Sequence, residues 1–252
     1  MELALKERTA FVTGASKGLG AAIARLLAEN GCRVAVSYAH SRAGADRTVA
    51  AITQAGGCAE AICCDISQAA EVSRAFREAT EALGPVDILI NNARIDPYMR
   101  PPNASDAAWW NETLAVNLTG AYLCAMAVWD GMMQRGWGRI INVSSVWAYW
   151  GASFRMLPYS VSKAGIHALT RGLATEGAAH GITVNTVAPG LIITESIGDR
   201  LTAAEIEAAE QEVPVKRGAS PEEIAESVLF VLSSPFTTGE VLNINGGVVM
   251  PA

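Results

Sequence analysis

Short apolar runs rich in β-branched residues alternate along the chain with longer stretches whose apolar positions recur three and four apart. The short runs predict strands over Thr9 to Thr13, Arg33 to Tyr38, Ala59 to Cys64, Val86 to Ile90, Arg139 to Val143, Ile182 to Val187 and Glu240 to Ile244. The longer stretches predict helices over Leu19 to Asn30, Ala43 to Ala55, Ala69 to Leu83, Trp109 to Arg135, Tyr159 to Ala179 and Pro221 to Leu232. In the first helix Ile23, Leu26 and Leu27 share a face and Gly31 is the stop. Gly84-Pro85 ends the third. The long stretch from Trp109 is expected to break or bend near Gly120.

Strand and helix alternating at this pitch predict βαβ units and a parallel sheet covered on both faces, which is why the strands are continuous apolar runs. The expected fold class is α/β, a doubly wound sheet of about seven strands. No linker, repeat or low-complexity tract divides residues 1–252, so one domain is expected. Residues 191–213 break the rhythm and hold a short helix from about Thr202 to Gln211. They are expected to form a flap over a ligand crevice.

Composition narrows the function. Half of the 252 residues are hydrophobic, enough for a large buried core. The net charge of -6, with no Lys/Arg run, argues against a nucleic-acid partner. The apolar stretch Ala121 to Trp129 is too short to span a bilayer, so no membrane partner is expected. The start carries an early acid and no long apolar region, so no signal peptide is read and the cytoplasm is the expected location. Five scattered cysteines, including the adjacent Cys63 and Cys64, fit reduced core thiols. His167 and His180 have no company at metal-ligand spacing, so no metal site is expected.

Two motifs carry chemistry. Thr13-Gly14-Ala15-Ser16-Lys17-Gly18-Leu19-Gly20 lies where the first strand meets the first helix. Glycines there let the backbone turn tightly beside a pyrophosphate, and the helix N-terminus offers N–H donors and partial positive charge. Far downstream, Tyr159 and Lys163 stand four apart on a helix face, about 6 Å from each other. An ammonium that close favours phenolate and draws a tyrosine pKa down from ~10. Tyr159 is then a candidate general acid and base for a carbonyl or an alcohol.

With these motifs the chain resembles the short-chain dehydrogenase/reductase family nearly end to end. Asp65 and Ile66 follow the third strand, as the family's adenine-side aspartate does. Asn91-Asn92-Ala93 is similar to the family's N-N-A-G, and Asn117 to its helix asparagine. Ser145, Tyr159 and Lys163 complete a tetrad with Asn117, Ser145 being preferred over Ser144. Pro189-Gly190-Leu191-Ile192-Ile193-Thr194 resembles P-G-x-I-x-T, and Thr238 to Asn243 with Gly246-Gly247 resembles the C-terminal signature. The segment Ser233 to Thr238 is shorter than the family usually carries.

The resemblance implies roles. Tyr159 transfers the proton, Lys163 holds the nicotinamide ribose and lowers the tyrosine pKa, and Ser145 donates to the substrate oxygen. Asn117 positions a water relaying protons to Lys163. Thr194 and the backbone near Ile192 meet the carboxamide. Family members commonly pair the helices carrying Tyr122 and Ala168, which implies a homotetramer or a homodimer.

Cofactor choice turns on the end of the second strand. An acid there would accept the adenosine 2′-hydroxyl and repel a 2′-phosphate. The chain instead reads Ser37-Tyr38-Ala39-His40-Ser41-Arg42. Lys17 and Arg42 are available cations, and His40 and Ser41 can donate, which favours NADP(H) over NAD(H). Arg94 stands where the family has the last glycine of N-N-A-G. It is expected either to reach a substrate anion in the cleft, helped by Arg155, or to turn outward to solvent. Trp147 and Tyr149, in the aromatic loop before Tyr159, are expected to line the substrate pocket or a subunit interface.

The expected function is hydride transfer between NADP(H) and a small carbonyl or secondary-alcohol substrate, with a small anionic or 3-oxoacyl-type ketone as one option. The alternatives are an NAD-dependent sugar, polyol or steroid alcohol dehydrogenase and a catalytically silent dinucleotide sensor. The intact tetrad argues against the sensor.

Overall fold

The computed structural model describes residues 5–150, 152–198 and 200–250. Its strands are β1 (Thr9–Val12), β2 (Arg33–Tyr38), β3 (Cys58–Cys63), β4 (Val86–Asn91), β5 (Gly138–Val143), β6 (Ile182–Pro189) and β7 (Val241–Ile244). They form one sheet in the order β3-β2-β1-β4-β5-β6-β7, and every neighbouring pair is parallel. The helices are α1 (Gly18–Glu29), α2 (Arg42–Gln54), α3 (Ala69–Leu83), α4 (Asp106–Leu114), α5 (Gly120–Arg135), α6 (Leu157–Gly177), α7 (Glu195–Gly198), α8 (Ala203–Glu212) and α9 (Pro221–Leu232).

Successive strand residues point to opposite faces, and both faces are buried. Ala10, Val12, Val34, Val36, Ile88 and Ile90 pack with residues of α1, α2 and α9. Phe11, Ala35, Leu89, Ile140 and Val184 pack on the other side with residues of α3, α5 and α6. Phe11 stacks on Phe76, ring centroids 4.1 Å apart. Each fully buried side chain of this size contributes about 1.5–3 kcal/mol. This burial on both faces explains why the strands read as unbroken apolar runs.

The chain winds outward from β1 through β2 to β3, then returns to place β4 on the other side of β1. The carboxyl ends of β1 and β4 therefore flank the topological switch point, where open α/β sheets bind their ligands.

Two expectations change. The helix from Trp109 is not cut at Gly120: α4 and α5 join through one wide π-helical turn, Ala115–Thr119, with right-handed helical backbone on both sides. Gly120 serves close packing instead, since a Cβ there would lie 2.7 Å from Ile66 Cγ1. Residues 191–213 hold the unexpected α7 as well as α8, which begins at a reciprocal Thr202–Glu205 cap.

Candidate active site

The glycine loop between β1 and α1 is bolted to the end of β4. Thr13 Oγ1 donates to the Ile90 carbonyl and accepts the amides of Asn92 (2.9 Å) and Ala93 (3.0 Å). Asn92 Nδ2 donates to the carbonyls of Thr13 and Gly14. Gly14 has φ +64°, and a Cβ there would lie 2.9 Å from Ala93 Cα. A Cβ on Gly20 would collide with the Gly14 carbonyl. Asn92 thus braces the loop with its own amide group, while the N-terminus of α1 carries no side-chain cap. Uncapped amides at a helix start suit an anion.

Beside this loop lies a cavity of about 300 Å³ lined by Ser16, Lys17, Gly18, Arg47, Thr48 and Thr194, among others. Leu19 is buried. The end of β2 is less open than its sequence suggests. Ser41 Oγ accepts the Gly44 amide and caps α2. Arg42 pairs with Asp46 at 2.8 Å and donates to Tyr38 Oη. His40 is exposed. The cation facing the cavity from α2 is Arg47, which the sequence reading missed. Its one signal is its place on the second turn of α2, on the side facing the glycine loop. Asp65 Oδ1 accepts from the Ser67 amide and hydroxyl, and Ile66 is buried against Gly120.

Ser144 and Ser145 leave β5 in opposite roles. The single Ser144 hydroxyl proton goes to the Lys163 carbonyl (3.0 Å), so the His167 ring, 2.9 Å away, must donate from Nε2. Burial holds His167 down at about 4 and keeps it neutral. Ser145 accepts the Trp147 amide and faces Tyr159, whose pKa its hydroxyl pulls down by hydrogen bonding.

Tyr159 and Lys163 rise from the first turns of α6, and both are buried. Here the structure corrects the electrostatic expectation. Burial raises the Tyr159 pKa above its usual value, and the nearby cation opposing that rise is Arg94. Lys163 donates to the Val143 carbonyl at 2.8 Å, and its Nζ lies 5.6 Å from the Tyr159 ring centroid. Burial first, and the Arg94 charge second, push Lys163 down to about 7, so its ammonium is itself half-lost near neutrality.

Asn117 sits inside the wide turn. Its Oδ1 accepts the Ile95 amide, and its Nδ2 donates to the Ile95 carbonyl and to Ser162 Oγ. Both ends of the side-chain amide are engaged by protein groups, which grips the loop that carries Arg94. Arg94 lies 3.5 Å from Asp96, and its charge is felt at Tyr159 and Lys163. Asp96 also pairs with Arg200 at 3.0 Å and accepts the Tyr98 amide. Trp147 meets Trp150 edge-on at 5.3 Å, and Tyr149 rests on His167. Arg155 is exposed. Pro189 is buried at the end of β6, Gly190 donates to the Ile244 carbonyl, and Ile192 bridges to Ala219.

A sequence model described as Enoyl-(Acyl carrier protein) reductase matches residues 14–249. The 3-oxoacyl-[acyl-carrier-protein] reductase of Synechocystis sp. is 38% identical, covering 98% of this chain and 99% of its own. The chain belongs to the short-chain dehydrogenase/reductase family. Among other members, the acetoacetyl-CoA reductase of Allochromatium vinosum is 38% identical over 96% of this chain and 99% of its own. The crystal structure of a putative gluconate dehydrogenase from Agrobacterium tumefaciens superposes with a TM-score of 0.88 at 32% identity, covering 97% of this chain and 96% of that one.

As a short-chain dehydrogenase/reductase, the protein is a nicotinamide-dinucleotide oxidoreductase working at the C=O/CH–OH level. The glycine cradle, the uncapped start of α1 and the adjoining cavity fit that cofactor. Among the described residues no cluster suits a metal, and no helix is long and apolar enough to cross a membrane.

Proposed function

We propose that the protein transfers a hydride between NADP(H) and a small carbonyl or secondary-alcohol substrate, with Tyr159 as general acid and base. The observation that carries this reading is the meeting of Ser145, Tyr159 and Lys163 at the carboxyl end of β5, on the same edge of the parallel sheet as the glycine loop. The nicotinamide, when bound, supplies or accepts the hydride. In reduction Tyr159 Oη gives its proton to the carbonyl oxygen. The Ser145 hydroxyl donates to that oxygen as negative charge grows. Burial keeps the phenol protonated, which suits an acid, and Lys163, at about 7, can exchange a proton near neutrality.

Lys17, Arg47, His40 and Ser41 would hold a 2′-phosphate, with Arg42 a lesser contributor because Asp46 engages it. Asp65 and Ile66 would meet the adenine. Ala93, Gly190, Ile192 and Thr194 would flank the nicotinamide, with Asn92 and Pro189 shaping the backbone there. The relatives' names include 3-oxoacyl and acetoacetyl thioester ketones, a sugar acid and a hydroxysteroid. Arg94, a cation beside Tyr159, favours a small anionic ketone or hydroxy acid over a bulky neutral substrate. Five free cysteines suit a reducing cytoplasm, and exposed Tyr122 and Val161 suit a helix-pairing homotetramer or homodimer.

The test follows NADPH absorbance with a panel of ketones. Tyr159→Phe is expected to cut turnover by about 10²–10⁴-fold, the usual reach of general acid catalysis, and to leave NADPH affinity intact. Loss of cofactor binding in that variant would mean that Tyr159 is structural.

A further inference from the structure

We propose that Arg94 and Arg200 form a two-guanidinium clamp for a carboxylate carried on the substrate, with Asp96 spacing the two arms at the mouth of the site. This rests on the reductase reading above and names the group that decides which ketone or alcohol is taken.

Charge balance is the first argument. Two guanidiniums share one carboxylate, which leaves the cluster a net positive charge. The carboxylate is already well served: Asp96 pairs with Arg200 at 3.0 Å and accepts the Tyr98 amide at 3.1 Å. Arg94 is the under-used arm. Its contact to Asp96 is 3.5 Å, and its side chain is 41% exposed. A guanidinium presents five donors in a planar fork suited to a carboxylate.

Position is the second argument. Arg94 follows Asn92 and Ala93 at the end of β4, and its charge is felt at both Tyr159 and Lys163. Its neighbours Ala93 and Ile95 are pinned by Thr13 and Asn117, which fixes where the side chain starts. Arg200 arrives from the 191–213 segment and is anchored by its Nε on the Ser196 carbonyl at 2.8 Å. A clamp held in place before the ligand arrives loses little freedom on binding. A surface ion pair made only for stability would be worth about 0–1 kcal/mol and would need only one of the two arginines.

The clamp predicts an oxo acid or hydroxy acid, with the carboxylate a short reach from the reacting carbon. The thioester named for several relatives carries no anion at that place. The experiment compares 2-, 3- and 4-oxo acids with their methyl esters, and the matching hydroxy acids with their esters. It uses wild type, Arg94→Met and Arg200→Met, Met keeping an unbranched stem without the charge. Wild type is expected to prefer at least one free acid by tenfold or more in kcat/KM. Each Met variant should collapse that acid-to-ester ratio mainly through KM, and Arg200→Lys should restore part of it. An acid-to-ester ratio near one in wild type, or a ratio that Arg200→Met leaves standing, overturns the clamp while the reductase reading survives. Failure to turn over any ketone, alcohol, acid or ester overturns the reading beneath it.

Discussion

Asn117 grips both polar groups of Ile95, accepting its amide at 2.7 Å and donating to its carbonyl at 3.2 Å. The wide helical turn at Ala115–Thr119 presents that side chain, and π-bulges of this kind recur at functional sites. Asn117→Ala leaves the Ile95 backbone groups without these partners. A loss of about 1–3 kcal/mol in stability is expected. Turnover should fall at least about tenfold, since Arg94 and the neighbouring loop lose their register. Urea midpoints and kcat on the same preparation check this. A destabilised variant with full kcat would show that the grip serves the fold alone.

Two buried bases should leave signatures in stability against pH. The folded His167 ring protonates only at about 4, whereas an ordinary ring does so near 6.5. Between those values the unfolded chain binds the extra proton, so stability falls as pH drops from about 6.5 to about 4. Lys163 repeats the pattern higher up. The unfolded amine keeps its proton to about 10.5 and the folded one to about 7, so stability rises with pH between them. His167→Gln, which retains an amide donor for Ser144, should remove the acid slope, and Lys163→Met the alkaline one. Equilibrium unfolding across pH 4 to 10 compares them with wild type. Unchanged slopes would mean that these groups titrate normally.

Arg47 should matter more than Arg42 for cofactor choice, because Arg42 is engaged by Asp46 and Tyr38. A charged hydrogen bond to phosphate is worth about 1.5–3 kcal/mol, so Arg47→Ala is expected to weaken NADPH by about ten- to a hundredfold. NADH affinity should hold within about twofold, and Arg42→Ala should do less. Nicotinamide fluorescence titration measures all four values. Equal losses for NADPH and NADH would remove Arg47 from phosphate recognition.

The inner strands were readable because each is an apolar run buried on two faces, as Phe11 and Val12 show by packing on opposite sides, whereas the edge strands β3 and β7 are only partly buried. The glycine loop was readable because positive φ at Gly14 and close packing at Gly20 exclude other residues. The wide turn was not, since an extra residue in one helical turn leaves no mark in side-chain type. Nor could spacing show how charges are engaged. A lysine four residues after a tyrosine says nothing of the Val143 carbonyl that takes its ammonium, or of the burial that moves both pKa values. Arg42 and Arg47 looked alike until Asp46 separated them. Arg200 came into view only when the chain brought it back to Asp96, 104 residues away in sequence.

A helix that crowds an additional residue into one turn has an easy escape, which is to lose it. Removing a single amino acid between Leu114 and Gly120 would restore regular winding and leave both flanks facing as they do now, because the wide turn already absorbs the extra residue. The carboxamide that now points at the loop after β4 would then face elsewhere, with scarcely a contact in the core disturbed. Helical regularity and the placement of Arg94 are therefore alternatives in this stretch, and the observed conformation keeps the second.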